Sequence, residues 1–158
     1  MLAVRLFPGE HAHMMRRVLV ILENGSRWPS WLDQQPADSV DLLTQRAGET
    51  LAQLTRRVVE FVAATDRPWS TATLVCSGHD APESNALRRR LLRALLGRAA
   101  DVGSGHVVLA ADGSPEQRRR LARLAADLDR DIRDLAGVAL RFRALSRQPE
   151  WASARRVA

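Results

Sequence analysis

The sequence predicts an α/β fold with a mainly parallel central sheet, and three observations lead there. Four short runs, Val18–Leu22, Ala72–Cys76, Val107–Ala111 and Val138–Phe142, are apolar apart from Thr73 and Arg141. Strands apolar on both faces belong to a parallel sheet covered on each side. Each run ends in a turn residue, and long stretches of helical spacing separate the runs. The resulting order, strand then helix three times and a closing strand, describes a three-layer Rossmann-like sandwich with right-handed crossovers.

The first 15 residues read as an N-terminal extension or as an edge strand over Leu2–Phe7, with Met14-Met15 as an alternative start. Val18–Leu22 is the first core strand, ended by Glu23-Asn24-Gly25-Ser26, residue types that tolerate turns. A connection over 27–37 holds Trp28-Pro29-Ser30-Trp31 and Pro36. A loop of that length is uncommon in a compact domain and is often functional. Asp38 or Ser39 then opens a long helix on the stripe Val40, Leu43, Ala47, Leu51, Leu54, Val58 and Val62, interrupted by Gly48. The second strand leads through Ser77-Gly78 into a helix capped by Asp80, with Glu83 three residues on, presenting Leu87, Leu91, Leu95 and Ala99 inward. The third strand is followed by Ser114 as cap, Pro115 in the first helical position and Gln117 in the third. That helix buries Leu121, Leu124, Leu128, Ile132 and Leu135, and Gly137 ends it. Arg141 and Arg143 alternate with apolar residues in the last strand, the pattern of an edge with one wet face.

A chain of 158 residues suits one domain with one core, here placed at 16–145, with 146–158 as a tail. No apolar run has transmembrane length. The apolar start is too short for a signal sequence, so a cytoplasmic protein is expected. The single cysteine, Cys76, excludes an internal disulfide. All 24 basic side chains are Arg, and the net charge is +6. Such an excess favours anionic partners (nucleotide, nucleic acid or acidic protein) without choosing among them.

In open parallel sheets ligands bind beyond the carboxyl ends of the strands, where the strand order switches. The residues expected there are Glu23, Asn24, Gly25 and Ser26, then Ser77, Gly78, His79 and Asp80, then Asp112, Gly113 and Ser114. Two of these clusters open helices whose free amides can hold an anion, although turn and cap chemistry alone also accounts for each residue. No catalytic motif is complete. Neighbours along a strand end point in alternate directions, so Cys76 and His79 need not meet, and Ser77 lacks the glycine two residues before it that a nucleophile elbow requires. His11 and His13 have no third ligand in sequence, so no metal is assigned. Arg88-Arg89-Arg90 with Arg93, and Arg118-Arg119-Arg120 with Arg123, read as solvated helix faces or as weak nucleic-acid contacts. Trp28 and Trp31 offer anchors for a protein partner.

From Thr73 to Ala111 the chain resembles the C-terminal part of a universal stress protein domain. The matching segments are Leu74-Val75-Cys76-Ser77-Gly78, then Leu91-Leu92-Arg93-Ala94-Leu95-Leu96-Gly97, then Val107-Val108-Leu109. Asn24-Gly25-Ser26 is similar to the Asp-Gly-Ser that ends that family's first strand. The resemblance implies a non-enzymatic protein that forms a homodimer and binds ATP, another nucleotide or phosphate. It places the ligand at Gly25, Ser26, Gly78, Gly97 and Ser114, with Arg98 supplying charge. In the glycine pattern of the family's ATP-binding members the middle glycine has no counterpart here, and Arg98 occupies the place of a hydroxyl.

Overall fold

The computed structural model describes residues 17–65, 69–78, 81–101, 105–111, 113–132 and 138–145. The strands are β1 (Val18–Leu22), β2 (Val40–Thr44), β3 (Thr71–Cys76), β4 (Gly105–Ala111) and β5 (Val138–Ala144). The helices are α1 (Leu51–Ala64), α2 (Pro82–Asp101) and α3 (Pro115–Asp131). The possible strand at Leu2–Phe7, the His11/His13 pair, Leu135, Gly137 and the tail lie outside the described residues.

Among the described residues the sheet has five strands in the order β2-β1-β3-β4-β5, all parallel. β1 and β3 are the central pair, in register Val18↔Thr71 to Leu22↔Val75. Every residue of β1 is buried, as a strand with neighbours on both edges requires. The expected edge position of β5 is observed, with Arg141 and Arg143 exposed.

One element differs from the sequence reading. The stripe taken for a single long helix from Val40 divides into β2 and α1. Val40 and Leu43 suit a helix, but Val40-Asp41-Leu42-Leu43-Thr44 suits an edge strand equally, since five residues cannot distinguish the two periods. Gly48 is therefore not a flaw inside a helix. It takes φ 79° at the third position of the turn Arg46–Glu49, closed by the Glu49 N–H on the Arg46 carbonyl at 3.0 Å. The helix starts afterwards, where Thr50 and Gln53 form a capping box.

The direction of each crossover decides which face it covers. β1 to β2 steps one way along the sheet; β2 to β3, β3 to β4 and β4 to β5 all step the other way. With right-handed connections, the last three must lie on one face and the first on the opposite face. The two cores agree. Leu19, Ile21, Leu74, Cys76, Val107 and Leu109 pack against α1, α2 and α3. Val18, Val20, Leu22, Val75 and Ala110 point the other way, against Leu32 and Trp31 of the 3-10 helix Ser30–Gln34. The three layers are thus the helices, the sheet and the 26–39 connection.

The buried side of α2 is Arg88, Leu91, Leu92, Leu95 and Leu96. Leu91 and Leu95 are inward as expected, whereas Leu87 and Ala99 are only half-buried. In α3 Leu121, Leu124 and Leu128 are buried as expected, joined by Ala125 and Gln117. At the amino edge of the sheet Asp41 pairs with Arg17 and accepts from Trp69 Nε1 at 3.0 Å, while Trp69 stacks on Phe61.

Candidate site at the strand-order switch

The switch in strand order falls between β1 and β3, so their carboxyl ends define the candidate site. Residues Glu23–Ser26 form a turn closed by the Ser26 N–H on the Glu23 carbonyl at 3.0 Å, with Gly25 at φ 81°. A glycine at the third position is what a type II turn needs. The turn leaves Glu23 continuous with the sheet, its N–H donating to the Val75 carbonyl at 3.1 Å. Its side chain consequently points into the protein, and the residue is 3% exposed.

A buried carboxylate requires a compensating charge and filled lone pairs. Arg88, in the second turn of α2, supplies the charge through two bonds of 2.7 Å, Nε to Oε2 and Nη2 to Oε1. Ser77 donates its backbone N–H (3.0 Å) and its Oγ (3.1 Å) to Glu23 Oε1. Asn85 Oδ1 accepts from Arg88 Nη1 at 2.9 Å, and Gln117 Nε2 donates to the Ser77 carbonyl at 2.6 Å. The exit of β1, the exit of β3 and the first turns of α2 and α3 are joined by one buried polar network.

Beside it lies a cavity of about 220 Å³ lined by Glu23, Asn24, Gln45, Leu51, Ser77 and Ser84. Gln45 forms its far wall. It accepts from the Asn24 N–H at 2.8 Å and donates Nε2 to the Glu49 carbonyl at 2.7 Å, tying the turn after β1 to the turn after β2.

Of the residues expected at the site, Glu23, Asn24 and Ser77 line this cavity, and Gly25, Ser26 and Gly78 flank it in the chain. Ser26 Oγ is enclosed and has no hydrogen-bond partner among the described residues. Gly113 and Ser114 belong to the neighbouring exit of β4, where Ser114 Oγ accepts the Gln117 N–H at 3.2 Å. A Cβ on residue 113 would fall 1.4 Å from Gln117 Oε1, so glycine there is what admits the Gln117 side chain. His79, Asp80 and Asp112 lie outside the described residues.

Gly97 and Arg98 are not part of this rim. α2 runs antiparallel to the strands it connects, so its last turn reaches the amino edge of the sheet. There Arg98 Nη2 donates to the Thr65 carbonyl at 2.8 Å, and Gly97 faces solvent. The placement taken from the stress-protein resemblance is corrected accordingly.

Arg88 is a second correction. Read as part of a solvated basic cluster, it is 1% exposed, whereas Arg89, Arg90 and Arg93 are exposed. The signal was in the spacing, because Arg88 precedes Leu91, Leu92, Leu95 and Leu96 by three, four, seven and eight residues. Gln117 stands on the α3 stripe in the same way, ahead of Leu121, Leu124, Ala125 and Leu128. Gln45 carried no such signal.

Cys76 is fully enclosed, and burial, followed by the nearby Glu23 charge, pushes its thiol well above the usual range. It stays protonated and is unsuited to nucleophilic attack. The two loop tryptophans separate. Trp28 is 41% exposed, with Nε1 donating to Asp33 Oδ1 at 2.9 Å, while Trp31 packs on the second face of the sheet. Among the described residues no three His, Cys, Asp or Glu side chains converge as metal ligands, and no helix is long and apolar enough to cross a membrane.

Comparison with protein families, with curated proteins and with solved structures finds no match to this chain.

Proposed function

We propose that this is a non-enzymatic binding protein of universal-stress type that takes a phosphate-sized anion, free or borne by a nucleotide, in the cavity at the β1/β3 switch. The observation that carries this reading is the cavity's position and lining. It opens where parallel sheets bind ligands. Its walls combine the uncharged polar groups of Asn24, Gln45, Ser77 and Ser84, the last of them in the first turn of α2, the helix end that favours negative charge. Glu23 does not oppose this, because Arg88 already holds its carboxylate through two bonds. The volume, about 220 Å³, suits a phosphate group and is below the roughly 300 Å³ at which whole small-molecule sites begin. A nucleotide would place its phosphate inside and its sugar and base outside, across the rim.

Calorimetric titration with inorganic phosphate, AMP and ATP tests the reading. Saturable binding that weakens at least tenfold (about 1.4 kcal/mol) in Ser84→Asp is expected, since that change sets a negative charge in the wall while suiting a helix first turn. Absence of binding by all three at millimolar ligand overturns it.

The exposure of Trp28 favours a second reading, a protein-interaction surface that includes self-association. Trp28→Ala should then shift the sedimentation of the chain, or of its complex, without changing the melting temperature. Unchanged sedimentation would remove that reading.

A further inference from the structure

The described residues cover only part of the second face of the sheet. Leu32, 5% exposed, and Trp31 sit over the β1 side. Towards β4 and β5 a groove of about 300 Å³ remains, its walls including Trp31, Thr73, Val108, Ala110, Arg143 and Leu145. All three α-helices among the described residues are on the opposite face.

Three observations indicate what fills the groove. First, the chain leaves the sheet inside it. Leu145 donates its N–H to the Ala111 carbonyl at 2.8 Å, and its side chain packs on the second-face core. Residues 146–158 follow directly. Second, the lengths agree. Trp151 is six residues beyond Leu145, a reach of up to about 20 Å in extended form. The three strand spacings from β5 to β1 amount to about 14 Å. Third, within a segment that also carries Arg147, Arg155 and Arg156, one residue has the charge that complements the strand. Arg141 and Arg143 pair in register with Val108 and Ala110 and share their face. Glu150, the one acidic residue in 146–158, stands beside Trp151.

We infer that residues 146–158 fold back over this face, seating Trp151 in the groove against Trp31 and Leu145, with Glu150 facing Arg143. The tail then supplies a further part of the third layer. It buries an aromatic where the sheet leaves apolar surface open and keeps a carboxylate beside exposed guanidinium groups.

Fluorine NMR of the full chain with its four tryptophans replaced by 5-fluorotryptophan tests this, with a soluble paramagnetic chelate reporting exposure and single Trp→Phe variants giving the assignments. The Trp151 signal should broaden several-fold less than that of Trp28, and equally so on dilution. Broadening to the level of Trp28 overturns the inference and leaves the groove to residues 1–16 or to another molecule. Protection lost on dilution also overturns it, in favour of a second copy. Arg143→Glu, at an exposed edge-strand position, should raise the Trp151 broadening, and Glu150→Arg in the same chain should reverse that rise. Protection indifferent to both changes places Trp151 elsewhere and refutes the seating.

Discussion

Replacing Arg88 by methionine probes the network that defines the site. The Arg88 side chain is 0% exposed and that of Glu23 is 2% exposed, so the substitution leaves a buried carboxylate without its cation. Removing one partner of a buried pair costs about 3–5 kcal/mol. Ser77 still donates twice to Glu23 Oε1, which holds the carboxylate in place but does not neutralise it. In urea, with a slope of about 2 kcal/mol per molar, a loss of about 4 kcal/mol lowers the unfolding midpoint by about 2 M. The double variant Arg88→Met with Glu23→Leu removes both charges and leaves only neutral groups without these partners, the Ser77 N–H and Oγ and Asn85 Oδ1, at about 1–3 kcal/mol for one left buried and unpaired. It should therefore be more stable than Arg88→Met alone, although it carries one more change. A loss under about 1 kcal/mol for Arg88→Met would refute the reasoning, because that is the range of a solvated surface pair. It would mean that water reaches Glu23 through the adjoining cavity.

Gly113→Ala should cost about 1–3 kcal/mol by evicting Gln117 from the Ser77 carbonyl, and most of that cost should vanish in a Gln117→Ala background; equal costs in both backgrounds, read by thermal melting, would show the two residues to be uncoupled. Gly97→Ala, with nothing within 4 Å of the new Cβ, should instead stabilise the helix by about 0.5–1 kcal/mol in the same assay. Cys76 should resist a thiol-specific dye at pH 8 in the native chain and react fully in denaturant; reaction at native rates like those of an exposed thiol would contradict its burial. The Glu49 carboxyl is held below its usual range chiefly by its bonds from Arg57, Nε to Oε2 at 3.0 Å and Nη2 to Oε1 at 2.8 Å. Its contribution to stability is therefore complete above the unfolded carboxyl pKa, about 4.3. That contribution is lost as pH falls through the lower native value. Arg57→Met should flatten this part of the acid limb of a stability–pH curve, and an unchanged limb would exclude the pair as its source.

The sequence pattern reached the sheet through the strands that are apolar on both sides. β1, β3 and β4 stand out because central strands are apolar at most positions on both faces, with Thr73 the one buried polar residue among them. β2 does not stand out, since an edge strand is half wet and its Val40 and Leu43 fall at helical spacing with the stripe of α1. The capping box at Thr50 and Gln53 was the signal that would have separated them. Misreading β2 concealed Gln45, because a residue assigned to the outside of a helix is not sought in a cavity wall. At the site, strand exits identified Glu23, Asn24 and Ser77 by topology alone. Gly97 and Arg98 were misplaced because likeness to a loop pattern ignores how far a helix travels. The 20 residues of α2 cover about 30 Å, more than the roughly 23 Å of a seven-residue strand. Arg88 was hidden by its chemistry, as charge is normally taken as a mark of the surface.

β1, the first of the described strands, has both of its neighbours, β2 and β3, later in the chain. Until Cys76 has left the ribosome, Val18–Leu22 is a fully apolar segment with at least one edge bare, the state in which strands recruit foreign chains. Nascent chains stalled before that point should therefore be the most prone to aggregation and the most dependent on chaperones. Glu23 adds to that delay, because the guanidinium that neutralises it is carried 65 residues further along.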